Sequence, residues 1–369
     1  MAVSIRNVYY LLCYALDYLE ARDLVDVNAI PGDRVENLLG QVLRDGVSQL
    51  VRRGLDRGYV GAVEDGRRLR GKVLVSETVQ RILLPQGRVA CQVDDLSYDV
   101  PHNRVLKAAM TALMGIPSLD DGIRRGLRDH CLLMREVSDV DLSPATFRTV
   151  QLHRNIARYR FLLDVCRLVD RSFLPEPGTG RRRFRPFTSS DQEMGALFEE
   201  FVRNFLKREQ DAFKVGITKV PWEAVSVSGS DLAWLPEMRT DVLLTSPTQR
   251  IVIETKYTGT PNQARYGGVR KLISSHLYQL STYLAHLTVT SGPRPIGMLL
   301  YAGNHEDQHL EYRLGGHTIL IRSLDLALEW REIHQRLLGL SAELESRAPV
   351  SGREAGSLVE EPRDDASAL

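Results

Sequence analysis

An aspartate on one apolar stretch and a Glu-x-Lys pair on the next are the residues of this chain whose types and spacing could do chemistry. Asp241 lies in Met238-Arg239-Thr240-Asp241-Val242-Leu243-Leu244, and Glu254 and Lys256 lie in Arg250-Ile251-Val252-Ile253-Glu254-Thr255-Lys256-Tyr257. Both stretches are aliphatic and β-branched and read as short strands, joined by the turn-like Thr245-Ser246-Pro247-Thr248-Gln249. So short a connection makes them antiparallel neighbours and brings Asp241 toward the Glu254/Lys256 end. Glu254 and Lys256 are two apart, so both leave the same face of their strand. Two carboxylates and an ammonium in apolar surroundings are costly unless something compensates the charge, and a divalent metal does so. Aspartate and glutamate oxygens suit Mg2+; the lysine can steer or deprotonate a water, or stabilise charge developing on phosphorus. That is the chemistry of metal-dependent phosphodiester hydrolysis. The spacing alone is short and common, and its competing explanation is a hairpin with exposed ends and an incidental salt bridge.

The flanking elements add weight. Glu193 to Leu206 puts Met194, Leu197, Phe198, Phe201, Val202, Phe205 and Leu206 on one helical stripe, with Glu199 at its margin and Glu200 pointing away. Phe213 to Val227 reads as extended, Val269 to Leu287 as helical, and Pro295 to Tyr301 as a continuous apolar strand. Helix, three strands, helix, strand resembles the core of the PD-(D/E)xK nucleases. The helix also carries Gln279-Leu280-Ser281-Thr282-Tyr283, where Gln279 and Tyr283 share a face. This Q-x-x-x-Y resembles the pattern of the RecB-like branch of that superfamily.

The remainder of the chain bounds the function. Its 369 residues favour two domains, and 43% hydrophobic with 26% charged residues is ordinary for a soluble globular protein. A net charge of +1 does not mark a nucleic-acid binder, so any such role rests on local patches. Cys13, Cys91, Cys131 and Cys166 stand in apolar contexts without a C-x-x-C pair, which suggests buried thiols in a reducing cytoplasm. Ile5 to Leu19 imitates a signal peptide, but Arg6 and Asn7 interrupt it and Asp17 and Glu20 close it. With Ser4 as N-cap it reads as a docked amphipathic helix, and no run spans a membrane.

Asp33-Arg34-Val35-Glu36 is a capping-box-like start to a helix with Val35, Leu38, Leu39, Val42, Leu43, Val47, Leu50 and Val51 on one stripe. Strand-like pieces follow at Tyr59-Val60, Lys72 to Val75 and Arg88 to Val93, and helices at Asn103 to Leu113, Ile123 to Met134 and Arg158 to Leu168. The organisation expected is an α+β N-terminal domain (1–174), a Pro/Gly linker (175–190), an α/β domain (191–346) and a mobile tail (347–369). Arg181, Arg182, Arg183 and Arg185 in the linker read either as a solvated charge run or as DNA phosphate contacts.

Two motifs mislead. Gly66-Arg67-Arg68-Leu69-Arg70-Gly71-Lys72-Val73 nearly spells a Walker A loop, but it lacks the Ser/Thr for Mg2+, and Val73-Leu74-Val75 reads as continuing strand. His305-Glu306-Asp307-Gln308-His309 matches H-E-x-x-H, but Gly303-Asn304 is a turn and Leu310 to Leu314 alternates like a strand, so a zinc-binding helix is not expected.

A wider resemblance joins these pieces. Ile5-Arg6-Asn7-Val8-Tyr9-Tyr10-Leu11-Leu12-Cys13-Tyr14-Ala15 resembles the opening of the McrC family, the nuclease subunits of McrBC modification-dependent restriction systems. In the same order follow Arg70-Gly71-Lys72, Asp94 to Asp99 leading into Asn103-Arg104-Val105-Leu106-Lys107, Leu235 to Asp241, Glu254 to Tyr257, and His276 to Leu280. The resemblance runs to about Leu338. It implies an N-terminal domain that docks into the channel of a hexameric McrB-like AAA+ GTPase and stimulates it, and a C-terminal Mg2+-dependent endonuclease that cuts methylcytosine-containing DNA. Carried over by position, Asp241, Glu254 and Lys256 are the catalytic set, with Glu254 where some relatives have Asp. Gln279 and Tyr283 would brace the site or contact DNA. Glu199 either completes the metal shell or is a helix-surface carboxylate. Arg70, Lys72, Asn103 and Arg104 are candidates for GTPase stimulation or for structural roles in the N-terminal fold. The alternatives in other classes are a non-cleaving activator of an AAA+ motor and a stand-alone RecB-like repair nuclease.

Overall fold

The computed structural model describes residues 3–20, 24–151, 159–176, 178, 182–227, 229, 231–258, 262–264, 270–288, 293–303 and 308–347. Its contacts divide the chain into two units, one ending at Phe201 and the other beginning at Val202.

The first unit is built on apolar helices. Helix α1 (Ile5–Ala15) starts where the Ser4 hydroxyl accepts from the Asn7 amide, as the sequence suggests. The capping box expected for α2 (Val35–Arg53) does not form: Asp33 instead accepts from the Ile5 amide, and Glu36 accepts from the Ser118 hydroxyl at 2.6 Å. Both carboxylates are drawn into long-range bonds, leaving Arg34 as an N-cap without a side-chain bond.

Strands β1 (Gly58–Gly66) and β2 (Lys72–Val73), helix α3 (Val75–Gln80) and strand β3 (Val89–Ser97) follow, with the strands in antiparallel order β1-β3-β2. Strand does not continue through Val75, as the sequence suggests it would. Thr78 turns the chain into helix by donating its hydroxyl to the Leu74 carbonyl at 2.8 Å and accepting from the Ala90 amide at 2.9 Å. Helices α4 (Pro101–Met114), α5 (Asp121–Leu133), α6 (Pro144–Arg148) and α7 (Arg160–Ser172) complete the bundle. Leu38, Leu39 and Leu43 of α2, Leu106 and Met110 of α4, Leu127 of α5 and Leu163 of α7 are all buried to within 1%. A β-carbon on Gly46 would lie 2.3 Å from Leu162, so α2 and α7 approach as closely as glycine permits. The Pro/Gly stretch is flanked by an antiparallel ribbon of β4 (Phe173–Pro175) and β5 (Arg182–Phe184), and α8 (Asp191–Glu209) carries the chain across the division.

The second unit contains β6 (Lys214–Gly216), β7 (Lys219–Val220), β8 (Met238–Arg239), β9 (Val242–Thr245), β10 (Arg250–Tyr257), β11 (Asn262–Ala264), β12 (Arg270–Leu272), α9 (Ser274–Thr288), β13 (Ile296–Ala302), β14 (His309–Leu314), β15 (His317–Leu324) and α10 (Trp330–Ser346). Six of the strands form one mixed sheet in the order β14-β15-β13-β10-β9-β6, with β13 parallel to both its neighbours. Flanked by strands on both edges, β13 is buried at every position, and its sequence is correspondingly apolar throughout. On one face Leu280, Tyr283, Leu284 and Leu287 of α9 pack with Val252, Leu299, Tyr301, Ile319 and Ile321.

Three expectations are corrected here. Met238 to Leu244 is not one strand: β8 pairs with β7 in a separate ribbon, β9 joins the main sheet, and Thr240 and Asp241 sit at the break. Phe213 to Val227 is extended only at β6 and β7. Helix α9 begins at Ser274, because Arg270 to Leu272 is strand. His309 opens strand β14, not a helix; His305 and the tail from residue 348 lie outside the described residues. No described helix is long and apolar enough to cross a membrane.

Candidate active site

Asp241 is held by the strand break. Thr240 ties back to Thr218 through its amide and its hydroxyl, both at 3.1 Å, which ends the ribbon and releases the next residue toward the main sheet. The antiparallel register of β9 and β10 pairs Val242 with Ile253, so Asp241 arrives opposite Glu254. Its Oδ2 accepts from the Thr255 amide and the Thr255 hydroxyl, both at 2.8 Å, and its carbonyl accepts from Arg203 of α8 at 3.0 Å. Two donors on one oxygen fix the carboxylate while Oδ1 takes no hydrogen bond from the described residues.

Glu254 and Lys256 leave β10 on the side covered by α9. Glu254 is 1% exposed, and its Oε1 accepts from Lys256 Nζ at 2.7 Å. Lys256 also donates to Gln279 Oε1 at 2.9 Å, and Gln279 Nε2 donates to the Tyr283 hydroxyl at 3.0 Å. An ammonium has no acceptor to offer, so the Gln279 amide must turn its oxygen to Lys256 and its nitrogen to Tyr283. The Tyr283 hydroxyl, accepting there, keeps its own hydrogen for another partner. Burial raises the Tyr283 pKa against the Gln279 hydrogen bond; the Glu254 and Asp241 charges raise it further and Lys256 opposes them. Asp241 is thus bonded to Thr255, the residue between Glu254 and Lys256 on β10, and those two are bonded to each other.

A second pair borders this cluster. His276 Nδ1 lies 3.0 Å from the Tyr301 hydroxyl, and burial together with the Lys256 charge lowers the histidine pKa to about 4. Burial pushes the Tyr301 phenol well above its ordinary range.

The other described residues singled out in the sequence as site candidates belong to the first unit. Glu199 is half-buried on α8. Arg182 is committed internally: it donates to the Asp170 carboxylate at 2.8 Å and to the carbonyls of Phe173, Leu142 and Asp170. Arg183 is exposed, Arg185 donates to Ser189, and Arg181 lies outside the described residues. Asn103 is fully buried and donates to the Asp56 and Tyr98 carbonyls, and Arg104 grips Asp99 through Nε at 2.7 Å and a terminal nitrogen at 2.8 Å. Arg70 and Lys72 are exposed on or beside the three-stranded sheet.

Thr255, Arg203, His276 and Tyr301 were not picked out in the sequence. A signal existed for His276, which stands one helical turn before Gln279 on the stripe that continues to Tyr283. None existed for Thr255, because strand alternation assigns it to the face opposite Glu254 and Lys256.

Residues 6–302 match the family described as McrBC 5-methylcytosine restriction system component. The chain belongs to that McrBC family. It is 31% identical over 340 residues to the type IV methyl-directed restriction enzyme EcoKMcrBC of Escherichia coli (strain K12), a match spanning 92% of this chain and 97% of the relative. Its fold resembles a chain in the half-complex from the tetradecameric assembly of Thermococcus gammatolerans McrB AAA+ hexamers with bound McrC. The TM-score is 0.56 at 16% identity, over 91% of this chain and 76% of that one. The McrC pattern read from dispersed sequence motifs thus agrees with a family match that runs through Asp241, Glu254, Lys256 and Gln279.

Proposed function

We propose that this McrBC-family chain is the DNA endonuclease subunit, with a PD-(D/E)xK site in which Asp241 and Glu254 hold Mg2+ and Lys256 serves the attacking water or the phosphate. The observation that carries the proposal is the clamp on Lys256, whose ammonium is held at 2.7 Å by Glu254 and 2.9 Å by Gln279. A lysine has three N–H donors, so fixing two aims the third.

The donor set fits the metal. Asp241 and Glu254 supply hard oxygens, two negative charges stand against one ammonium, and Asp241 keeps Oδ1 open while Thr255 orients it. Among the described residues no group of three or more His, Cys, Asp or Glu gathers as a metal site. A two-carboxylate set suits Mg2+, which usually retains several waters. When bound, the ion would lower the pKa of a water and offset charge on the scissile phosphate. Lys256 orients that water or donates to the pentavalent phosphorus oxygens, where a fixed donor stabilises developing charge. Gln279 holds Lys256 in place, and Tyr283 braces Gln279 by accepting from its amide nitrogen or contacts DNA.

The partner proposed is a hexameric McrB-like AAA+ GTPase whose GTP hydrolysis this chain stimulates on methylcytosine-containing DNA. Support comes from the E. coli relative, matched over nearly its full length, and from the Thermococcus complex, in which McrC is bound to McrB hexamers. Within the first unit, Tyr59, Leu69, Val75, Val79, Ile82 and Leu84 are each more than half exposed around the three-stranded sheet and α3, an apolar surface fit for a protein partner.

The test is reconstitution with the cognate GTPase on methylated DNA. Asp241→Ala and Lys256→Ala are expected to abolish metal-dependent cleavage while GTPase stimulation persists. Wild-type cutting by either variant would refute the assignment. Cleavage absent even from the wild-type chain, with stimulation intact, would instead make it a non-cleaving activator.

A further inference from the structure

We infer that His276 contacts the substrate, donating from Nε2 to an oxygen of the scissile phosphate beside Lys256. The inference rests on the nuclease reading above and adds a residue to its site.

Position comes first. His276, Gln279 and Tyr283 occupy one stripe of α9, and beneath them Lys256 of β10 and Tyr301 of β13 are register partners in the parallel pairing. Gln279 reaches down to Lys256 and His276 to Tyr301, one turn apart on the helix and one strand apart in the sheet. The ring centroids of His276 and Tyr301 are 5.7 Å apart, so the imidazole packs against the phenol as well as bonding to it.

The position of the ring proton follows from accounting for every hydrogen. Tyr301 is 0% exposed, and His276 is the hydrogen-bond partner of its hydroxyl. If Nδ1 carried the hydrogen and the phenol merely accepted it, the phenolic hydrogen would be buried without an acceptor, which is costly. The phenol therefore donates to Nδ1. Burial and the neighbouring ammonium keep the imidazole neutral, so its single N–H is on Nε2. Nε2 has no protein partner among the described residues, and it is not among the buried polar atoms left unpaired, so it is open to solvent. An uncharged N–H held at a fixed angle beside an ammonium can bind a phosphate oxygen without the repulsion that a second cation would meet there.

The test combines a spectrum with kinetics. In 15N-labelled full-length protein, the His276 signals should show protonated Nε2 and unprotonated Nδ1. Duplex DNA added with calcium, to prevent turnover, should shift Nε2. In the reconstituted complex His276→Ala is expected to slow single-turnover cleavage on the order of 100-fold, the scale of losing one charge-stabilising donor. DNA affinity should fall far less than the cleavage rate, and the GTPase rate should be unchanged. His276→Gln, whose amide can present a donor near Nε2, should recover part of the loss, whereas His276→Asn should not. Tyr301→Phe removes the brace but keeps the donor, and should cost less than His276→Ala.

A proton found on Nδ1, an Nε2 signal indifferent to DNA, or His276→Ala cutting at the wild-type rate would each overturn the inference and leave the nuclease reading standing. Equal losses in His276→Ala and Tyr301→Phe without rescue by Gln would reduce His276 to a packing role and also overturn it. If wild-type protein cuts nothing, the nuclease reading fails and this inference falls with it.

Discussion

Lys256 is useful only while its ammonium is aimed, and the aiming is done by a neutral amide as well as by a carboxylate. Gln279→Ala removes the bond at 2.9 Å and leaves the Glu254 contact. Cleavage should fall about 10-fold through loss of orientation, with unchanged DNA affinity. Lys256→Arg should not rescue Lys256→Ala, because a planar guanidinium cannot reproduce a compact three-donor ammonium between these two acceptors. Rapid-quench cleavage rates check both. The pairing of Glu254 with Lys256 and of Gln279 with Tyr283 was legible from spacings of two on a strand and four on a helix. Thr255 was not, since its hydroxyl serves Asp241 from the face that alternation assigns away from the site.

The elements matter because the site spans three of them: the end of the β8–β9 break, β10 and α9. Gly297 on β13 sets the seat of α9, where an added β-carbon would lie 2.7 Å from Leu284 and 3.0 Å from Leu280. Gly297→Ala should push the helix outward, destabilising the second unit by about 1–3 kcal/mol in urea unfolding. It should also slow cleavage by moving Gln279. Leu299→Ala, at the same layer and 0% exposed, should cost about 2–5 kcal/mol through the cavity it leaves beneath α9.

Helix α8 and the α9 stripe were readable from their apolar periods, and strand β13 from its continuous apolar run. The break at Thr240 was not readable, because it depends on bonds to Thr218, 22 residues earlier. Helix α3 escaped for a similar reason: Val75, Thr78 and Val79 favour strand locally, and a tertiary bond to Ala90 reverses the preference.

For the whole molecule, acid sensitivity follows from carboxylates that arginines hold ionised. Burial tends to raise the Glu343 pKa, but hydrogen bonds from Arg322 and Arg347 outweigh it and bring it down to about 2, from an ordinary 4.5. Below 4.5 the unfolded chain takes up a proton at this site that the folded chain refuses. The contribution is therefore complete above pH 4.5 and lost as pH falls through about 2. Urea midpoints should decline over that window, and Glu343→Gln should flatten the decline. The division into two units also predicts that variants at Asp241 or Lys256 leave the first unit's behaviour intact, since neither residue belongs to it.

Manganese binding watched by electron paramagnetic resonance tests the central claim most directly, because it reads the metal without needing DNA or the GTPase. The wild-type chain should bind Mn2+ competitively with Mg2+. Asp241→Asn and Glu254→Gln, which keep shape and remove charge, should each weaken that binding at least 10-fold while the circular dichroism spectrum is unchanged. Two folded variants that bind Mn2+ as the wild type does would show that these carboxylates do not share an ion.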